Sequence, residues 1–287
     1  MITYLMKCIR TELMSSELNN NELTSHLNNE PAGNPEITAM LEESHGEARG
    51  HAERNFAARN KLTLEGMLDT GVHFGHQARK WNPKMAPYIY GERNGVHLID
   101  LLYTAVGMQE ISEYLRDAGA RKENLLLVGT RSQVSELVKD TATRWSHQDI
   151  HYVNHRWLGG MLTNWSTIQG CVKKLRELDT QMQLGLLETL PKKEAASAKK
   201  QYTRLHKFLG GVRDLNKVPE TVLIIGQPTE MNAVRECNKL KLRTITFMDT
   251  DCDPSLADFI LPANDDSVAA VQYLLDLMLS SFRQGTR

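Results

Sequence analysis

Three short apolar runs, Leu125–Val128, Val222–Ile225 and Thr244–Met248, constrain the fold more than any other feature of the chain. Each is too short for a helix, is aliphatic or β-branched, and is bounded by polar turns, as strands buried on both faces are. Leu101–Leu115, Ser132–Trp145, Met231–Leu240 and Ser267–Phe282 carry helical periodicity around them, and Tyr152-Val153 reads as a further strand. Alternation of strand and helix predicts an α/β core, a doubly wound parallel sheet with helices on both faces in the Rossmann-like or flavodoxin-like manner. A chain of 287 residues, 41% of them hydrophobic, has the apolar content for such a core.

A different period interrupts this alternation. Ile168, Val172, Leu175, Leu178 and Met182 form one apolar seam; beyond a loop around Leu190 and Pro191, Ala195, Ala198, Tyr202, Leu205 and Phe208 form another. Pro191-Lys192-Lys193 starts the second helix and Gly210-Gly211 ends it. The pair is expected to be an inserted antiparallel coiled-coil hairpin. Its outer face is either a solvated surface or a basic arm laid on nucleic acid.

Charge favours the second use. The whole chain has a net charge of -1, without the general basicity of many RNA binders. The balance is local. Residues 1–60 hold five Lys and Arg against nine Glu, and 218–287 hold six against ten acids, whereas 154–217 hold twelve against five, a net +7. The chain therefore divides into an acidic extension over 1–60, an α/β core over 61–153 and 218–287, and a basic insertion over 154–217. The extension is poor in aromatic residues and is expected to be disordered or weakly helical. Its acidity is unlike an organelle transit peptide, and no apolar run suits a signal sequence or a bilayer span.

Two clusters carry the residue types that RNA recognition needs. From His73 to Tyr88, the cations Arg79, Lys80 and Lys84 interleave with Phe74, Trp81 and Tyr88 among turn-forming Gly75, Asn82 and Pro83. Cations contact phosphates and aromatic faces stack on unpaired bases, although Trp81 and Tyr88 would serve equally to pack beneath a loop. The second cluster is Asn154-His155-Arg156-Trp157-Leu158-Gly159-Gly160, leading into Thr163-Asn164-Trp165. Its glycines permit a sharp turn or close approach, and Thr163 or Asn164 is placed to cap a helix whose amino end favours phosphate. A purely structural turn fits the same spacing.

Patterns for other chemistry are weak. His73 and His76, or His147, His151 and His155, lack the convergent set that zinc requires, so no metal site is expected. The run Asp249, Asp251, Asp253 has Pro254 and Ile260 where a calcium loop needs Gly and Glu, and is read as a turn. Cys8, Cys171, Cys237 and Cys252 are dispersed, fitting neither a disulfide framework nor a zinc cluster. The strand before Gly226-Gln227-Pro228 is followed by no phosphate-binding glycine motif, and Val128-Gly129-Thr130-Arg131 is a poor substitute. No catalytic residues, cofactor or small-molecule substrate are expected. The competing readings are a nucleotide-dependent enzyme on the same scaffold, and a protein-binding scaffold using the arm.

The runs GVHFGHQARKWNPKMAPYI, WLGGMLTNW, LPKKEAA, FLGG and CDPSLADFILPANDD, in this order, resemble the small-subunit ribosomal protein S-two family of bacteria and plastids. The likeness spans about 62–282 and leans towards cyanobacterial and chloroplast members. It implies a structural protein without enzymatic activity, seated between head and body of the small subunit on ribosomal RNA and neighbouring proteins. In bacteria these include the large protein that captures messenger RNA. It assigns RNA contact to Arg79, Lys80, Trp81, Lys84, Asn154, Arg156, Trp157, Gly159, Gly160 and Asn164, and to Lys173, Lys174, Lys192 and Lys193 of the arm. It implies a chloroplast ribosome, with a bacterial cytoplasm or a mitochondrion as the alternatives. Gly226 departs from the aspartate usual in plastid relatives, and 1–60 lies outside the family pattern.

Overall fold

The computed structural model describes residues 62–145, 149–186 and 191–286. The extension 1–60, His147 and Leu190 lie outside the described residues. The elements are α1 (Leu64–Asp69), β1 (Phe74–Gln77), β2 (Ile89–Arg93), β3 (Val96–Ile99), α2 (Leu101–Ala120), β4 (Leu125–Val128), α3 (Ser135–Arg144) and β5 (Ile150–Val153). They continue with α4 (Trp165–Gln183), α5 (Lys192–Leu209), β6 (Thr221–Ile224), α6 (Met231–Leu240), β7 (Arg243–Met248), β8 (Phe259–Pro262) and α7 (Val268–Gly285).

Five strands make one parallel sheet in the order β5-β4-β6-β7-β8, the predicted α/β arrangement. All four residues of β4 are fully buried, which is why this strand reads as an unbroken apolar run. Leu126 and Val128, with Val222 and Ile224 of β6, face a cluster that includes Val234 and Cys237 of α6 and Trp157 and Met161. The two-residue period of a strand turns Leu125, Leu127 and Leu223 to the opposite face. Each such side chain stabilises the fold by roughly 1.5–3 kcal/mol.

The helices begin where side chains can satisfy their first amides. Asp100 Oδ1 accepts from the Leu102 amide at 2.9 Å to open α2, and Ser267 Oγ accepts from Ala270 to open α7. These two helices pack against each other at backbone distance. A Cβ on Gly119 would overlap the Phe282 carbonyl, and one on Gly285 the Arg116 carbonyl.

A second, three-stranded antiparallel sheet, ordered β1-β3-β2, frames the His73–Tyr88 cluster, with β1 inside it and β2 and β3 directly after it. Its β2–β3 turn is Asn94-Gly95, both residues with positive φ, 56° and 77°, as a tight two-residue hairpin requires.

The basic insertion contains α4 and α5. Ile168, Val172, Leu175 and Leu178 are buried as the seam predicts, and Tyr202, Leu205 and Phe208 pack against the same cluster. Tyr202 donates its hydroxyl to Asp179 Oδ1 at 3.1 Å, and Arg213 reaches the other Asp179 oxygen at 3.3 Å. Three sequence expectations need correction. Met182 is 40% exposed and so leaves the seam, Pro191 precedes α5 rather than lying in it, and α3 begins at Ser135 after a turn over 132–134.

Candidate nucleic-acid interface

The first cluster hangs between β1 and β2 as two short 3-10 turns, Ala78–Lys80 and Pro83–Tyr88. Asn82 Oδ1 accepts from the Lys84 amide at 3.0 Å, and Pro83 supplies the φ that starts the second turn. Met85, with no exposed surface, pins the turn to Met248 and Cys252, while the Asn82 amide donates to the Thr250 carbonyl at 2.8 Å. The cations are thus presented by an anchored loop. Arg79 and Lys80 are exposed, and neither has an ion-pair partner among the described residues. Lys84 differs, since its Nζ binds Asp253 Oδ2 at 2.6 Å and Ser255 Oγ at 3.1 Å. Lys84, then Ser255, hold the Asp253 carboxyl below the usual aspartate range. Trp81 keeps 37% of its surface exposed, with one side tilted against His97 at 5.3 Å between ring centres.

In the second cluster the chain leaves β5 through Asn154 and turns over Gly159 and Gly160 before α4. Gly160 needs glycine, because its φ is 82°. The turn encloses a carboxylate of the protein itself. Glu236 Oε1 accepts from the Trp157 indole at 3.1 Å and the Gly160 amide at 2.7 Å; Oε2 accepts from the Leu162 and Thr163 amides at 3.0 and 3.1 Å. Burial pushes this carboxyl up, but the Trp157 and amide hydrogen bonds outweigh it and hold Glu236 below the usual glutamate range. The expected helix cap is therefore corrected. Neither Thr163 nor Asn164 caps α4 with its side chain, and the amides just before the helix serve Glu236.

Trp157 is 5% exposed and its N–H is engaged, so its ring is a buried post of the turn with no open stacking face. Arg156 and Gly159 are exposed, as is Asn164, whose Oδ1 accepts from Thr167 Oγ1 at 2.9 Å. Asn154 is half-buried. Arg156 and Lys207 line a cleft of about 430 Å³ with His155, Phe208, Thr130, Thr229 and Glu230. Burial first, then Lys207 and Lys139, depress the His155 pKa.

That cleft adjoins the carboxyl ends of β4 and β6, where the chain order reverses and where open α/β sheets bind phosphate ligands. Here the place is filled. The Thr130 amide donates to Glu230 Oε1 at 3.1 Å, and the Thr130 hydroxyl donates to the same oxygen. Glu230 is 2% exposed, and burial, only partly offset by Thr130, raises its pKa. The Thr130 amide and hydroxyl are thereby already engaged by a side chain of the protein itself.

Along the arm, Lys173, Lys174, Lys192 and Lys193 are all exposed. Lys174 shares its charge with Glu177 at 3.5 Å; the other three have no ion-pair partner among the described residues. The structure therefore separates the sequence-predicted contacts into solvent-facing cations, with Trp81, and scaffold residues such as Trp157 and Gly160. The residues that sequence reasoning missed, Glu236 and Glu230, lie on or beside α6, some 75 to 100 positions from the groups they hold.

Comparison with known proteins adds a family-level match. A family model described as "Ribosomal protein S2" matches residues 67–285. The chain is 51% identical over 225 residues to small ribosomal subunit protein uS2c of Oltmannsiellopsis viridis, covering 78% of this chain and 93% of that protein. It is 49% identical over 224 residues to uS2c of Mesostigma viride, covering 78% and 97%. Against uS2 of the Synechococcus strain JA-3-3Ab it is 44% identical over 224 residues, covering 78% and 83%.

Proposed function

Given that the chain belongs to the ribosomal protein S2 family, a structural component of the small ribosomal subunit and not an enzyme, we propose that it binds ribosomal RNA through two cationic surfaces. One is the anchored loop bearing Arg79, Lys80 and Trp81, with Lys84 shared between RNA and Asp253. The other is the basic insertion, through Arg156, the turn at Asn154, Gly159 and Asn164, and Lys173, Lys174, Lys192 and Lys193. Trp157 and Gly160 act by shaping that turn. The observation that carries this reading is the set of solvent-facing cations, of which Arg79, Lys80, Arg156, Lys173, Lys192 and Lys193 have no ion-pair partner among the described residues. Phosphate contacts of this kind supply affinity without sequence preference, as suits a protein seated on folded RNA.

The seat is the junction of head and body, and the ribosome is that of a plastid, in keeping with the uS2c relatives. Neighbouring small-subunit proteins, including the large messenger-capturing protein, meet the less basic surfaces. Exposed Leu102, Tyr103 and Val106 on α2 supply such a surface.

Sucrose-gradient sedimentation of a native extract, at low and high salt, tests the assignment. The chain is expected to migrate with the small subunit and to shift towards free protein as salt rises, because phosphate contacts release counterions. Sedimentation as a small free protein at both salts would overturn it. Migration with the subunit unaffected by salt would favour attachment through proteins.

A further inference from the structure

The cleft of about 430 Å³ beside β4 and β6 contains groups that contacts to phosphate leave unused. Its cations, Arg156 after β5 and Lys207 near the end of α5, are exposed, whereas Glu230, which also lines it, is 2% exposed. His155 and Phe208 are half-buried in the same lining. Their rings lie 6.5 Å apart at 77°, edge to face, so neither stacks flat on the other. The Lys207 Nζ is 5.8 Å from the centre of the Phe208 ring, which sets a cation next to an aromatic surface.

A carboxylate this deeply buried is costly unless donors reach it. The Thr130 amide and hydroxyl both serve Oε1 of Glu230, and no group among the described residues donates to Oε2. The carboxylate is thus oriented through one oxygen and leaves the other for a ligand. That ligand needs a flat ring for the aromatic wall, N–H donors on the edge of that ring, and negative charge where the ring ends. A nucleotide has this form. Among the bases guanine suits a carboxylate best, because its Watson–Crick edge carries the N1–H and N2 amino donors side by side, whereas uracil sets a carbonyl on either side of its single N–H. Asn232, exposed on the first turn of α6 and also in the lining, carries an amide able to donate to guanine O6.

We propose that this cleft takes one unpaired guanosine of RNA, with the base against His155 and Phe208, its N–H edge on Glu230, and the adjoining phosphates on Arg156 and Lys207. Unpaired bases splayed onto aromatic side chains and read on their edges are the usual targets of base-specific RNA recognition. The volume is that of a small-ligand site. The inference rests on the RNA-binding reading and adds one base-reading contact to surfaces that otherwise touch phosphate.

The test uses the full-length protein and two short fluorescent oligoadenylate strands that differ in one central base, guanine or uracil. By fluorescence anisotropy the wild type is expected to bind the guanine strand about tenfold more tightly, the discrimination that well-placed hydrogen bonds to one base provide. Glu230→Gln sets an amide donor against the base and is expected to abolish the preference while keeping the salt dependence that the cations supply. Equal affinity of the wild type for both strands would refute the pocket and leave the phosphate contacts standing. Failure to bind any RNA, that of the small subunit included, would overturn the underlying reading with it. GMP is expected to bind much more weakly than the guanine strand; equal affinity would make this a site for free nucleotide and refute the RNA assignment. Photocrosslinking of the wild type to a strand with 6-thioguanine at the centre decides the matter even where the variant fails to fold. A crosslink in the peptide bearing His155 or that bearing Phe208 supports the site, and crosslinks confined to other peptides refute it.

Discussion

Glu236 and Trp157, one on α6 and the other in the turn after β5, are joined by a 3.1 Å hydrogen bond from indole to carboxylate. The same carboxylate receives the Gly160, Leu162 and Thr163 amides. The glutamate thus ties α6 to the turn that leads into α4. Glu236→Gln puts an amide donor against donating N–H groups. Loss of about 1–3 kcal/mol in urea unfolding is expected, the range for charge-assisted hydrogen bonds. An unchanged midpoint would show that the turn is held by other means.

The pH dependence of that loss has a definite sign. Because the Glu236 pKa is lowered on folding, its contribution is complete above the unfolded glutamate value of 4.5 and is lost as pH falls through the lower folded value. The stability gap between wild type and Glu236→Gln should therefore be constant from pH 7 to about 5.5 and close below pH 4.5. Unfolding curves for both proteins across this range measure it, and a gap that widens in acid would contradict the assignment.

Lys84 and its neighbours should part company under charge reversal. Arg79→Glu with Lys80→Glu alters exposed, unpaired side chains and should leave the unfolding midpoint within about 0.5 kcal/mol of wild type while impairing incorporation into the small subunit. Lys84→Glu also sets a carboxylate against Asp253, so it should weaken the loop as well. Normal incorporation of a folded Arg79, Lys80 and Lys84 triple reversal would remove this loop from the RNA interface.

For the arm, the observable is the salt slope. If Lys173, Lys174, Lys192 and Lys193 each meet a phosphate, changing all four to Gln should lower the slope of log K against log salt by about 3 for the protein binding its ribosomal RNA. An unaltered slope would assign the arm to protein neighbours.

Much of this architecture is legible in the sequence for plain physical reasons. A strand buried on both faces must be apolar throughout, so Leu125–Val128 announces itself, and the α4 seam through Ile168, Val172, Leu175 and Leu178 shows its period. The hairpin around Asn94-Gly95 went unread, although that dipeptide between Tyr90 and Val96 is a strong turn signal. It is obscured by its mixed exposure: Tyr90 is 78% exposed, and the strands do not alternate cleanly. The exposed cations are visible as composition, but their freedom is not, since Lys84 is distinguished from Lys80 by Asp253 and Ser255, 169 and 171 residues away. Nor could spacing reveal that Trp157 is buried, that Glu230 takes the Thr130 donors, or that His76 meets Asp249 across 173 positions. These are contacts between segments far apart in the chain, which local patterns do not encode.

The central claim is that solvent-facing cations of the anchored loop and the basic insertion lie on ribosomal RNA. Protein–RNA crosslinking of the native small subunit, with crosslinked peptides identified by mass spectrometry, tests it most directly. The account predicts crosslinks in the peptides bearing Arg79 to Trp81 and Asn154 to Arg156, with further ones at Lys173, Lys174, Lys192 or Lys193. Crosslinks confined to other surfaces, with these peptides recovered unmodified, would contradict it.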